Sequence, residues 1–202
     1  NDAAEDSIQN GLGRLTSLKV NQTLDFTKNQ EARMLRYDAR NRGGGVLGIP
    51  TPWDWLTAKT TGIHPGQFWV FAARKKIGKS WFSFHFGLNA WARGTPTLIV
   101  SMELAQSIVE DRLDALGAKV PYRGFKRGDL TELERQRVTA WIDSTKNGAP
   151  FHIMTKKEIK TPQDLKISIR SLQPKLVILD GLYLMQPNGR AGNALWERVT
   201  QL

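Results

Sequence analysis

The sequence has 202 residues, is 40% apolar, contains no cysteine and carries a net charge of +10. That length allows one sizeable domain with an appendage or two small ones, and the missing thiols exclude both a disulfide framework and a thiolate metal site. No apolar run approaches the roughly 18 residues that cross a bilayer and no signal-peptide pattern opens the chain, so a cytoplasmic protein is expected, and Asn1 in first place reads as a trimmed fragment.

Residues 1–45 read as a helical arm ahead of a core over 46–202. Ile8, Leu12, Leu15 and Leu18 are spaced for one face of a short helix, although Gly11 and Gly13 weaken it. A second helix is expected from about Lys28 to Arg42, with Met34 and Leu35 as its main apolar anchors, and Gly43-Gly44-Gly45 ends it. So narrow a stripe cannot bury itself alone; it must fold back on its own domain or dock on a neighbouring subunit. Residues 1–47 hold seven basic against six acidic side chains, the remainder 22 against 13. A basic core suits a polyanionic partner, either nucleotide phosphates or a nucleic-acid backbone, and solubility alone would account for it equally.

From Gly48 onward short apolar strands alternate with amphipathic helices. Phe68–Ala72 is predicted as a buried strand, followed by a helix from Lys79 to about Ala92. Thr97–Ser101 is a second strand, and the next helix places Ile108, Val109, Leu113 and Leu116 on one face. Thr131 is a predicted N-cap with Glu134 completing a capping box. Phe151–Met154 forms a short strand, Thr161-Pro162 opens a further helix, and Leu176–Asp180 is the most apolar strand of all. Strands without polar alternation, separated by helices, imply an α/β fold whose mainly parallel sheet is covered on both faces.

The segment Ala73-Arg74-Lys75-Lys76-Ile77-Gly78-Lys79-Ser80 follows one such strand and opens a helix, which is the context a P-loop needs. Successive backbone N–H groups would wrap a β-phosphate and the helix N-terminus would add partial positive charge. Lys79 is placed to reach the β- and γ-phosphates of ATP, and the Ser80 hydroxyl to ligate Mg²⁺. A Gly-Lys-Ser tripeptide is common by chance, and Ala73 stands where the first glycine usually does, so the context carries the reading. Lys75 and Lys76 are expected to be solvated or to steer phosphates. Asp180 ends four apolar residues, the pattern that delivers a Mg²⁺-holding carboxylate to a sheet edge. Glu103 follows the strand Thr97–Ser101. If that strand lay beside the P-loop strand, Glu103 could orient or deprotonate the attacking water; the residues alone leave it open whether it is instead an acid favoured by a helix start. His64, His85 and His152 are scattered and read as structural.

Gly48-Ile49-Pro50-Thr51-Pro52-Trp53, His64-Pro65-Gly66-Gln67, the P-loop, Ser101-Met102-Glu103-Leu104 and LVILDGLYLM from Leu176 come in an order that resembles the motor domain of DnaB-type replicative helicases. The likeness covers about residues 46–202, and residues 1–45 resemble the linker helix before that motor. It implies a RecA-like P-loop fold, ATP and Mg²⁺ as ligands, alanine at the place of Ala73, and Glu103 together with Lys79 as catalytic residues. It further implies single-stranded DNA in the channel of a homo-hexameric ring, and primase or other replisome proteins as partners. Arg123–Leu130 also looks like the family, as does Asn188–Arg198, whose Arg190 and Asn193 the resemblance places near the DNA backbone. Lys75-Lys76-Ile77, Gly181 and the bulky Trp81 depart from the family pattern and point to a divergent, phage-like member. The family's sensor glutamine and arginine finger are expected beyond Leu202. The competing readings are a RecA-like recombination or repair ATPase and a nucleotide-binding module without motor activity.

Overall fold

The computed structural model describes residues 26–42, 48–74 and 76–187. The helix expected around Ile8–Leu18 lies outside them. The chain divides into two units, Asn1–Gly45 and Val46–Leu202. In the first, a turn of 3₁₀ helix at Phe26–Lys28 precedes helix α1, Gln30–Arg42. Glu31 sits in the first turn of α1, where the helix dipole favours an acid. The Arg33 guanidinium lies 3.9 Å from the centroid of the Phe26 ring and ties the turn to the helix. Met34 and Leu35, the expected anchors, are exposed.

The second unit is the α/β core. Its described helices are α2 (Asp54–Thr60), α3 (Lys79–Ala92), α4 (Gln106–Gly117), α5 (Tyr122–Arg127), α6 (Glu132–Thr145) and α7 (Pro162–Leu172). Its strands are β1 (Thr97–Ser101), β2 (Phe151–Thr155) and β3 (Leu176–Asp180), parallel in the order β2-β1-β3. β1 is central and completely buried, as its unbroken apolar sequence requires. Alternate side chains leave it in opposite directions. Ile99 joins Phe84, Leu88 and Trp91 of α3 with Val109 and Leu113 of α4. Leu98 and Val100 join Leu165 of α7, Ile159 and Met185 on the other face. α3 can lie close on the sheet because residue 87 is glycine: a Cβ there would come within 2.9 Å of Ile178 Cδ1.

Local sequence signals explain the helix starts. Thr131 and Glu134 form the expected capping box at α6, and Thr161 forms a second one with Asp164 behind the predicted Pro162. Two short helices were not foreseen. α2 is held by a buried pair of threonines, with Thr51 N–H donating to Thr57 Oγ1 at 2.9 Å, while an isolated bridge pairs Ile49 with Ile63. α5 occupies most of the basic Arg123–Leu130 stretch and ends at Gly128 in the left-handed region.

The segment Phe68–Ala72 corrects the sequence reading. It belongs to none of the described strands. Phe68 and Val70 are 61% and 70% exposed, whereas Trp69 and Phe71 turn inward onto Phe86, with ring centroids at 6.3 and 5.1 Å. The period of two is therefore present, but one face alone is covered. An unbroken apolar run predicts two buried faces; here the aromatic stack of Trp53, Phe82 and Phe86 draws one face onto α3. The segment and β3 both line an open cleft of about 2190 Å³.

Candidate functional site

The cleft runs along the carboxyl ends of β1 and β3 and the start of α3. Of the expected phosphate cradle, Ala73, Arg74, Lys76, Gly78, Lys79 and Ser80 line it. Ile77 is 68% exposed, and Lys75 lies outside the described residues. The chain enters α3 through two left-handed residues, Lys76 at φ 67° and Gly78 at φ 94°. A Cβ on Gly78 would meet nothing within 4 Å, so the backbone angle rather than crowding demands glycine there. Gly78 caps α3 with no side-chain acceptor, which leaves first-turn N–H groups available to an anion. Lys79 and Ser80 are the first two residues of that helix.

The two acids arrive from neighbouring strands. In the β1–β3 ladder Ser101 stands beside Asp180, and Met102 N–H donates to the Asp180 carbonyl at 2.9 Å just past the strand end. Asp180 is 2% exposed, and among the described residues neither of its carboxylate oxygens accepts a hydrogen bond. Burial pushes its carboxyl above the usual range; the nearby Ser80 hydroxyl opposes this, the charge of Glu103 adds to it, and Lys79 and Arg112 oppose it. A buried, uncompensated carboxylate beside a hydroxyl is a donor set that fits a hard divalent cation. Among the described residues no group of three or more His, Cys, Asp or Glu side chains could hold a metal, so such an ion would draw its remaining ligands from water and phosphate.

Glu103 approaches by a different route from the one expected. β1 lies between β2 and β3 and is not a neighbour of the P-loop segment. The loop after β1, tied down by Leu104 N–H donating to Ser101 Oγ at 3.2 Å, brings Glu103 Oε1 to 3.9 Å from Lys79 Nζ. The Tyr183 hydroxyl donates a hydrogen bond to the same oxygen, and Lys79 Nζ lies 5.4 Å from the centroid of the Tyr183 ring. Gly181 adopts φ 89°, and a Cβ on it would fall 3.0 Å from Glu103 Cγ. The departure from an aromatic at this position therefore gives Glu103 its room.

Two residues at the site escaped sequence reasoning. Tyr183 is one; its contact with Glu103 spans 80 positions. Arg112 of α4 is the other. It lines the cleft with its guanidinium 5.2 Å from the Trp81 ring and 5.8 Å from that of Tyr122. Its Nε is buried and has no hydrogen-bond partner among the described residues. Trp81 thus has a local reason for its bulk: it packs edge to face on Tyr122 at 4.9 Å and shelters an arginine. In the sequence Arg112 was one more charge after Glu110 and Asp111. Arg190 and Asn193 lie outside the described residues. His64 bonds Thr61 Oγ1 at 2.7 Å and His85 packs against Trp53, as structural histidines do.

Comparison with known proteins agrees with this geometry. The family described as the DnaB-like helicase C-terminal domain matches residues 48–202. The replicative DNA helicase DnaB of Leifsonia xyli subsp. xyli is 28% identical over 195 residues, covering 92% of this chain and 42% of that protein. The replicative DNA helicase DnaB of Geobacillus stearothermophilus is 27% identical over 168 residues, 80% of this chain and 36% of that protein. The chain therefore spans less than half the length of these relatives. Among solved structures, the ATPase domain of a phage helicase aligns with a TM-score of 0.75 at 19% identity, covering 88% of this chain and 64% of that one. A DnaB-like replicative helicase, described with its interactions with primase, aligns with a TM-score of 0.74 at 18% identity, covering 96% and 48%. These structures share the RecA-like α/β fold, a parallel sheet flanked by helices. With residues 48–202 matched, the chain belongs to the family of DnaB-like helicase C-terminal domains.

Proposed function

We propose that this chain is the ATP-hydrolysing motor portion of a replicative DNA helicase, coupling hydrolysis to translocation on single-stranded DNA and to duplex unwinding. The observation that carries the reading is Asp180, buried without a hydrogen-bond partner among the described residues, one strand away from the Glu103–Lys79 contact. Backbone N–H groups from Ala73 to Ser80 bind the phosphates, and Arg74, Lys75 and Lys76 raise the local phosphate concentration at the mouth. Lys79 exchanges its carboxylate contact for the β- and γ-phosphates. Ser80 and Asp180 would hold Mg²⁺, which supplies charge neutralisation on the phosphate oxygens when bound. Glu103 orients the attacking water and takes its proton. Arg112 lends a further positive charge to the same cleft.

The family resemblance supports a cytoplasmic homo-hexamer with single-stranded DNA in its channel, Arg190 and Asn193 near the backbone, and primase among its partners. Among the described residues no helix is long and apolar enough to cross a membrane. The test uses the full-length protein in an ATP-dependent strand-displacement assay with wild type and Glu103→Gln. The variant is expected to bind Mg-nucleotide normally and to lose hydrolysis and unwinding by at least about 100-fold, the scale of a lost general base. Unwinding at the wild-type rate by Glu103→Gln would remove Glu103 from the mechanism, and ATP hydrolysis without any unwinding by the wild type would remove the motor.

A further inference from the structure

The Glu103 carboxylate is engaged twice, and through one oxygen. Oε1 accepts the Tyr183 hydroxyl and lies 3.9 Å from Lys79 Nζ, so among the described residues both contacts leave Oε2 uncommitted. The two partners differ in what a nucleotide does to them. Lys79 is claimed by the phosphates once a triphosphate enters, and its hold on Glu103 weakens. Tyr183 is neutral and offers the phosphates no such charge, and its hydrogen bond to a carboxylate is of the charge-assisted kind.

The backbone fixes Tyr183 in this position. Gly181, at φ 89°, turns the chain sharply out of β3 and into the 3₁₀ turn Leu182–Leu184. Leu184 N–H donates to the Gly181 carbonyl at 2.9 Å and Met185 N–H to that of Leu182 at 3.0 Å. Met185, fully buried among Leu98, Val100 and Leu165, anchors the far end. A side chain at 181 would crowd Glu103 Cγ at 3.0 Å. The bare backbone at 181 and the hydroxyl at 183 thus serve the same carboxylate, one by leaving room and the other by holding it. The hydrogen bond to Glu103, with partial burial and the charges of Glu103 and Asp180, pushes the Tyr183 phenol above its ordinary value, so it remains a donor.

We propose that Tyr183 is a positioning residue for hydrolysis: its hydroxyl holds Glu103 by Oε1, so that Oε2 stays aimed at the attacking water after Lys79 has turned to the phosphates. This rests on the reading of Glu103 as the water-orienting group. Tyr183 is 45% exposed, so removal of one oxygen leaves the core untouched.

The experiment compares wild type, Tyr183→Phe, Tyr183→Gln and Glu103→Gln of the full-length protein in steady-state ATP hydrolysis, with calorimetric binding of a non-hydrolysable ATP analogue in Mg²⁺. Tyr183→Phe keeps the ring over Lys79 and deletes only the donor. It is expected to lower kcat about tenfold, the scale of one hydrogen bond to a charged group, while KM and the analogue Kd stay within about twofold of wild type. Tyr183→Gln, a long side chain ending in an N–H donor, is expected to recover much of that loss. An unchanged kcat in Tyr183→Phe, a Kd that worsens as much as kcat falls, or a Tyr183→Gln as slow as Tyr183→Phe would each overturn the proposal. If Glu103→Gln hydrolyses ATP normally, the water-orienting role itself fails. If Glu103→Gln is inactive and Tyr183→Phe unimpaired, only the tyrosine's role fails.

Discussion

Replacing Asp180 by asparagine should make the nucleotide-free protein more stable while crippling it. Asp180 is 2% exposed, and neither carboxylate oxygen accepts a hydrogen bond from any described residue. An ion so placed costs several kcal/mol even after relaxation, and the charges of Lys79 and Arg112 offset part of this while that of Glu103 adds to it. A neutral amide in the same place still leaves polar atoms unsatisfied, at about 1–3 kcal/mol. The difference favours Asp180→Asn by about 2 kcal/mol, a rise in Tm of roughly 4–8 °C for a chain of this size. Mg-nucleotide reverses the order. At a free concentration one hundred times Kd it adds about 2.7 kcal/mol to wild type and far less to a variant that has lost its metal carboxylate. Scanning calorimetry near neutral pH, with and without a Mg-bound ATP analogue, reads both effects. A variant that melts below wild type without nucleotide would refute the idea of an uncompensated charge, and one that gains as much from Mg-nucleotide as wild type would refute the metal role.

Asp114 offers a pH-dependent counterpart away from the cleft. Burial raises its carboxyl, the Trp141 indole N–H that it accepts at 3.0 Å opposes this, and Asp111 and Glu110 add to it. As pH rises, the unfolded chain releases this proton first, so stability falls from the unfolded carboxylate's value through the raised folded value and then levels off. Asp114→Asn keeps an acceptor for Trp141 and should flatten that slope and stabilise the protein at neutral pH, as urea midpoints on both sides of the window would report. A slope that survives the substitution would assign it to another group. Gly117→Ala should destabilise by about 2 kcal/mol, an ordinary overpacking cost, because the added Cβ would fall 2.1 Å from Trp141 Cε2; an unchanged urea midpoint would show that the indole has somewhere to go.

Much of the fold was legible because its signals are local. The bounds of β1, β3 and α3 follow from apolar runs and their breaks, and those of α6 from a threonine and a glutamate three residues apart. Segment 68–72 misled for a definable reason: an apolar run states that both faces are greasy and not that both are covered. α5 was hidden because six residues with a basic face carry too little periodicity to announce a helix. At the site, the P-loop could be read from strand, loop and helix start in succession. Tyr183 and Arg112 could not, since each acts across elements that only the tertiary fold brings together.

The pairing of β1 with β3 bears on how errors in this molecule would show themselves. The ladder runs residue for residue from Thr97 beside Leu176 to Ser101 beside Asp180. A slip of one residue would move one acid past the other by about 3.3 Å and turn every side chain of the strand to the opposite face. Buried Leu98, Ile99 and Val100 forbid the second consequence and therefore the first. The spacing between Glu103 and Asp180 is thus set where no nucleotide ever reaches, by whether isoleucine and valine keep to their own sides of a sheet. Substitutions deep in β1 that leave the protein folded but loosen this registration should appear in hydrolysis assays as if they were mutations of the acids themselves.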